Sequence, residues 1–157
     1  MTRSTAALAD LRSGSVEDDL GPHFYVRLLG IRAYTTAALL DLLRVGLPYK
    51  TLERFQKNVG LPLAALAELL QIPGRTLARR KEQGRLQPDE SDRLVRASRV
   101  FAKALRLFEG ELEAAKAWLD TPLPALDRHS PLDFAKTDVG AREVEDLIGR
   151  LEHGIPS

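Results

Sequence analysis

Two short segments of this chain repeat the apolar spacing i, i+3, i+4 and i+7, which places four side chains on one face of an α-helix. The first set is Leu63, Leu66, Ala67 and Leu70, and the second set is Val144, Leu147, Ile148 and Leu151. Each set is followed within three residues by a proline or a glycine, the residues that most often end helices. These segments therefore favour short amphipathic helices over strands.

Turn residues mark further helices in the first half of the chain. Thr35 or Thr36 can cap a helix that ends at Gly46, and Pro48 can open another that ends at Gly60. Later, Ser130 and Thr137 stand in the same capping position before a short helical turn and before the last helix. These repeated start and stop signals for helices predict an all-α fold.

The length and composition limit the classes of protein that the chain can belong to. At 157 residues with 44% hydrophobic residues, it can form one domain or two small helical modules that share a core. It contains no cysteine, and no apolar run approaches 18 residues. We expect a soluble cytoplasmic protein with no membrane association, no cofactor and no metal, because the possible ligands are not clustered.

The net charge of +1 hides an uneven distribution of charges. Residues 75–106 carry 10 basic and 4 acidic side chains, whereas residues 107–157 carry 5 basic and 11 acidic ones. A basic middle followed by an acidic end indicates two different partners, with two solvated faces as the alternative.

Residues 63–83 have the layout of a helix-turn-helix, the DNA-binding pair of helices joined by a short turn. Ala67 is the small residue at the crossing of the helices, Ile72 lies in the turn, and Leu77 anchors the second helix. The turn position that usually carries glycine holds Gln71, which costs about 1 kcal/mol if its φ is positive. Two ordinary core helices would give a similar pattern.

The second helix of this pair is basic, as a recognition helix should be. Arg75, Thr76 and Arg79 share an outward face opposite Leu77, so we predict that they contact base edges. Arg80, Lys81 and Arg85 are predicted to contact phosphates.

The rest of the chain is less specific. Residues 1–33 are predicted to be a partly flexible arm, in which the apolar run from Phe24 to Ile31 is either a short strand or a docking segment. A long helix from Pro88 to Gly110 is expected to join the two halves. Trp118, the single tryptophan, is predicted to be a core anchor.

Three motifs resemble one known family. The sequence at 140–154 reads Gly-Ala-Arg-Glu-Val-Glu-Asp-Leu-Ile-Gly-Arg-Leu-Glu-His-Gly. It resembles the C-terminal toxin-binding module of the Xre/MbcA/ParS antitoxins, as do Ala117–Pro122 and Ser130–Asp133. Residues 72–80 resemble the family's Xre-like helix-turn-helix. One departure lies at 127–129, where the family usually has a glycine-rich turn and this chain has Asp-Arg-His.

The resemblance implies two domains and three partners. An Xre-like helix-turn-helix domain would span residues 34–100, and a small helical toxin-binding domain would span residues 101–157. The partners would be operator DNA, a second copy of the chain, and a RES-type toxin that consumes NAD. The chain would be the antitoxin of a type II toxin–antitoxin system that represses its own promoter, cytoplasmic and associated with the bacterial nucleoid when bound to DNA.

The resemblance also assigns residues to these contacts. The tail from Arg150 to Ser157 would cover the toxin's active site, flanked by other charged residues of the last helix. The predicted toxin contacts are Arg142, Glu143, Glu145, Arg150, Glu152, His153, Gly154, Ile155, Pro156 and Ser157. The predicted dimer contacts are Leu39, Leu40, Leu43, Leu52 and Phe55.

The sequence allows one other function and disfavours a second. The chain could be a helix-turn-helix transcriptional regulator whose C-terminal module only dimerises or binds an effector. An enzyme is disfavoured, because the three histidines are scattered and the sequence lacks a metalloprotease, hydrolase or phosphate-loop motif. We predict that the chain has no catalytic residue.

Overall fold

A computed structural model describes residues 24–32 and 35–154, and this part of the chain is helical without a β-strand. The helices are α1 (Phe24–Leu28), α2 (Thr36–Val45), α3 (Tyr49–Val59), α4 (Leu63–Leu70), α5 (Gly74–Gln83), α6 (Pro88–Leu107), α7 (Leu112–Leu119), a 3₁₀ turn (Pro124–Leu126), α8 (Pro131–Phe134) and α9 (Asp138–Glu152). The predicted all-α class is confirmed. No helix within the described ranges is long and apolar enough to cross a membrane.

Several helices begin at the capping residues expected from the sequence. The Thr35 side chain accepts a hydrogen bond from the amide of Ala38 at 3.1 Å, which sets the start of α2. The Thr137 side chain accepts one from the amide of Gly140 at 3.0 Å and starts α9. Such caps satisfy amide groups that have no partner within the helix.

Helix α6 is the central element of the fold. It packs against α1, α2, α3, α4, α7 and α9. One side of α6 supports α3 and α4, and Phe101 in its second half meets Phe55 of α3 edge-on with ring centroids 5.5 Å apart. The helix also packs against α9, whose Val144, Leu147 and Ile148 are buried. A single helix therefore belongs to both halves of the protein.

The apolar run that starts at Phe24 forms a short helix rather than a strand. Phe24, Val26 and Leu28 of α1 are buried, and α1 packs on α6 and α3. The docking-segment alternative is thus correct for residues 24–28. The rest of the predicted arm, residues 1–23, lies outside the described residues.

Some residues of the apolar sequence pattern are exposed. Leu63 and Leu40 are exposed, because α4 and α2 lie at the surface and bury only one narrow side each. Leu151 is 39% exposed, so three residues of the last apolar set are buried rather than four.

The structure corrects three of the predicted dimer contacts, because their side chains are buried inside the protomer. Leu52 and Phe55 are fully buried inside the protomer and offer no surface to a second copy. Leu39 is also buried, and Leu43 is half-buried. The exposed apolar residues of α2 are instead Leu40, Leu42 and Val45.

Candidate functional site

The turn between α4 and α5 is held by groups that replace the missing glycine. Gln71 has φ 54°, the left-handed conformation that glycine normally adopts. The Arg93 guanidinium of α6 donates hydrogen bonds to the carbonyls of Leu70 at 3.0 Å and Gln71 at 2.9 Å. The Gln71 side chain also donates to the carbonyl of Glu68 at 2.7 Å. These bonds satisfy the carbonyl groups at the end of α4 and offset the backbone strain.

Helix α5 presents its basic residues as the helix-turn-helix interpretation requires. Leu77 is buried beneath the helix, while Arg75 and Arg79 are exposed and Thr76 is half-buried. Within the described chain, Arg75, Arg79 and Lys81 form no ion pair. Their charges are therefore available to a polyanion such as DNA.

Arg80 differs from its neighbours because its guanidinium is engaged within the protein. Its Nε donates to Oε1 of the buried Glu90 at 2.7 Å, and its Nη2 donates to Oε2 at 3.2 Å. These hydrogen bonds raise the pKa of Arg80 above its ordinary value, while desolvation opposes them. The paired guanidinium fixes α5 to the start of α6. This structural role differs from the phosphate contact expected from the sequence.

Arg85 is also used to hold the domain together. Its Nη1 donates to the carbonyl of Gly46 at 2.5 Å, at the end of α2. The amide of Leu86 donates to the carbonyl of Leu47 at 2.9 Å, and the amide of Tyr49 donates to the carbonyl of Gly84 at 2.9 Å. The end of α5 is thereby tied to the link between α2 and α3, although Arg85 remains an exposed residue.

Helix α9 docks on α6 through a row of ion pairs as well as apolar contacts. The carboxylates of Asp138, Glu145 and Glu152 recur every seven residues along α9, facing α6. Their partners are Arg96 at 3.8 Å, Arg99 at 3.5 Å, Lys103 at 3.4 Å and Arg106 at 3.3 Å. The opposite charges of the middle and the end of the chain thus neutralise each other in part.

This row changes the interpretation of two predicted toxin contacts. The Glu145 side chain is only 11% exposed and pairs with two cations of α6. Glu152 pairs with Arg106. Both residues face the protein's own helix, because residues seven apart return to nearly the same side of a helix.

The other predicted toxin contacts lie on the outer sides of α9 and at its end. Arg142 and Glu143 are exposed, Arg150 is half-buried, and His153 and Gly154 are exposed beyond the last turn. Arg142 forms an exposed pair with Asp138 at 3.2 Å. Gly154 has φ 68°, the left-handed conformation predicted for a residue that follows a helix. Ile155, Pro156 and Ser157 lie outside the described residues.

A cleft of about 580 Å³ separates α4 from the loop and helix that precede α9. Two contacts cross it. Lys116 Nζ donates to the carbonyl of Gly60 at 2.9 Å, and Lys136 Nζ lies 3.5 Å from Oε1 of Glu68. The hydrogen bond to Asp133, and then the charge of Glu68, raise the pKa of Lys136. These contacts link the two halves of the protein.

Comparison with known families finds two domains in this chain. Residues 38–99 match the antitoxin Xre-like helix-turn-helix domain, and residues 103–154 match the antitoxin Xre/MbcA/ParS C-terminal toxin-binding domain. A protein of Yersinia enterocolitica called antitoxin Xre is 37% identical over 130 residues, covering 82% of this chain and 88% of that protein. The chain belongs to the Xre antitoxin family. The chain carries both domains, and the family is one of antitoxins rather than enzymes.

Two other antitoxins named Xre are similar. The protein from Photorhabdus laumondii is 32% identical over 132 residues, covering 83% of this chain and 89% of that protein. The protein from Pseudomonas putida is 37% identical over 84 residues, covering 53% of this chain and 52% of that protein. The first of these spans both domains of the antitoxin described here.

The unusual loop at 127–129 has a simple geometry. Asp127 and Arg128 both have positive φ, at 51° and 65°. Glycine adopts this conformation without strain, whereas residues with a side chain do not. A glycine-rich turn, as expected of the family, would therefore suit the backbone path seen here.

Sequence reasoning missed the residues that support the recognition helix. Glu90 binds Arg80 of α5, and Arg93 binds the turn that precedes α5. In the sequence, both residues belong to an ordinary amphipathic helix. The i, i+4 pair of Asp89 and Arg93, 2.8 Å apart, could have been found from spacing alone. The contact between Arg93 and the turn could not, because it joins residues more than twenty positions apart.

Proposed function

We propose that this antitoxin neutralises a RES-type, NAD-consuming toxin in a type II toxin–antitoxin system and represses its own promoter. The C-terminal module would cover the toxin's active site with the end of α9 and the residues that follow it. The main support is the position of His153 and Gly154, which are exposed beyond a helix that is anchored on its inner side. An anchored segment loses little conformational entropy when it binds, so it can block a cleft efficiently.

The proposed contacts with the toxin and with DNA follow from exposure. For the toxin we propose Arg142, Glu143, Arg150, His153 and Gly154, with residues 155–157 as the blocking end. For DNA we propose Arg75, Thr76 and Arg79 as base readers and Lys81 as a phosphate contact. The antitoxin would act in the cytoplasm, and it would be associated with the nucleoid when operator DNA is bound.

We also propose that the antitoxin binds its operator as a homodimer. Helix α2 exposes Leu40, Leu42 and Val45, the last of them 64% exposed. Exposed apolar side chains grouped on one helix are typical of an interface. Helix-turn-helix proteins commonly pair in this way to read two half-sites.

Removing residues 153–157 tests the proposed inhibition. The truncation leaves α9 complete to Glu152 and keeps its ion pair with Arg106. We expect the truncated antitoxin to bind operator DNA as the full chain does, but to leave the NAD consumption of the purified toxin uninhibited. Full inhibition by the truncated protein would contradict the proposed role of this end.

Arg79→Ala tests the proposed reading of DNA. We expect a loss of operator affinity of about 1–3 kcal/mol, or roughly tenfold to a hundredfold, measured by fluorescence anisotropy at fixed salt. Arg142→Ala on α9 removes the same charge from another exposed site, and it should leave the affinity unchanged. Equal losses in both variants would show that only net charge matters.

A further inference from the structure

An apolar groove lies beside the last two turns of α9. Its volume is about 380 Å³, within the range of sites that accept a ligand or a few side chains. Its lining residues come from α7, the turn that follows it and α9, and all of them are apolar: Trp118, Leu123, Pro124, Ala125, Leu147 and Leu151. The groove is part of the domain matched as toxin-binding, residues 103–154.

The groove leaves two large apolar side chains in contact with water. Leu151 is 39% exposed, and Trp118 is half-buried although it was expected to be a core anchor. The Trp118 ring packs against Phe108 with centroids 6.2 Å apart, so it is held in place. A fixed, partly exposed tryptophan in a groove is a common centre of binding energy in protein interfaces.

The faces of α9 indicate which partner the groove receives. The side that carries Glu145 and Glu152 is occupied by α6. Leu147 and Leu151 lie on a different side, which they share with Glu143 by their spacing of four residues. Leu151 lies two residues before the exposed end of the helix at His153 and Gly154, which we propose to contact the toxin.

We propose that this groove receives an apolar segment of the toxin, with Trp118 at its centre and Glu143 and Arg150 at its polar rim. The inference rests on the proposed function and adds a second contact to it. The end of the chain blocks the active site of the toxin, while the groove supplies much of the affinity that keeps the end there. Burial of Trp118 and Leu151 by the toxin would remove apolar surface from water and stabilise the complex.

Two substitutions on opposite walls of the groove test this proposal. Leu151→Glu and Ala125→Glu change exposed residues, one on α9 and one in the 3₁₀ turn, so both variants should fold. Each should weaken toxin binding by about tenfold to a hundredfold in a titration, as expected for the centre of an interface. The matched control is Val139→Glu, because Val139 is 74% exposed on α9 away from the groove and should bind toxin as the wild type does.

A spectroscopic probe identifies the occupant of the groove. Since the chain has one tryptophan, 5-fluorotryptophan labelling gives a single ¹⁹F resonance that reports on Trp118. Adding unlabelled toxin should shift this resonance, and removing residues 153–157 from the free antitoxin should not. A shift on truncation, or on dilution of the free protein, would assign the groove to the chain's own end or to a second copy and overturn the proposal.

The outcomes separate this inference from the proposed function. If the wild type binds the toxin and both groove variants bind equally well, the groove proposal fails while the function stands. If the truncated antitoxin fails to inhibit but still binds toxin, and the groove variants abolish that residual binding, both proposals hold. If the wild type does not bind a RES-type toxin, the proposed function fails and the groove proposal fails with it.

Discussion

Replacing Leu147 with aspartate is expected to detach α9 and to abolish toxin binding. The Leu147 side chain of α9 is fully buried against the rest of its domain. It also lines the apolar groove. The variant loses the packing of a leucine and places a carboxylate in an apolar site, which together cost at least about 4 kcal/mol. Circular dichroism should show lost helix, and the toxin should no longer co-purify.

Val139→Asp is the control for this experiment. Val139 is in the same helix but is largely exposed, so its aspartate remains in water. The change also adds a negative charge in the first turn of α9, where the helix dipole favours it. The control should have the melting temperature of the wild type, and the toxin should co-purify with it. Co-purification of the toxin with Leu147→Asp at the wild-type yield would show that α9 does not need this anchor.

Gly140→Ala is expected to destabilise the antitoxin by about 1–3 kcal/mol, even though alanine favours helices more than glycine does. Gly140 lies in the first turn of α9, where the chain passes directly over the end of α8. A Cβ atom added at Gly140 would lie 1.9 Å from the carbonyl oxygen of Phe134, which is backbone and cannot rotate away. Thermal unfolding should therefore begin at a lower temperature, by about 2–4 °C per kcal/mol.

Gly149 provides the matched substitution on the same helix. A Cβ atom added there would meet no atom within 4 Å. Gly149→Ala should therefore stabilise the protein by up to about 1 kcal/mol through helix propensity alone. If both variants shift the melting temperature in the same direction, the close approach of α9 to Phe134 is not a constraint in solution.

The sequence predicted the order of the helices well because their ends are set by local chemistry. Thr35, Ser130 and Thr137 cap their helices through side-chain hydrogen bonds to amides three residues later. Gly60 and Gly84 end theirs in the left-handed conformation. Such signals involve neighbours in the chain, so they can be found without knowledge of the tertiary structure.

The candidate sites were harder to predict because they depend on contacts between distant segments. The spacing placed Arg80 beside the residues predicted to read bases, but nothing local indicated that Glu90 would bind its guanidinium. Likewise, Leu151 continued a regular apolar pattern and yet lines an open groove. Periodicity predicts which side of a helix is apolar, and it does not show whether another element covers that side.

The charge distribution also shows that a local pattern does not reveal contacts between distant segments. Counting charges along the chain indicated a basic segment and an acidic segment for two partners. In the structure, Asp138, Glu145 and Glu152 pair with the basic row on α6, so part of both charges is used within the protein. We therefore propose that DNA recognition depends on the exposed cations of α5, a smaller set than the count of charges implied.

The shared helix α6 also sets the geometry of any assembly that this antitoxin builds. Its 20 residues span about 30 Å, and it begins beside the recognition helix and ends beside the toxin-binding surface. Because α6 is continuous from one domain into the other, it fixes the distance between them. A toxin held by α9 would stand at a defined distance and angle from the operator. In a dimer, the two toxins would then be placed by the spacing of the DNA half-sites.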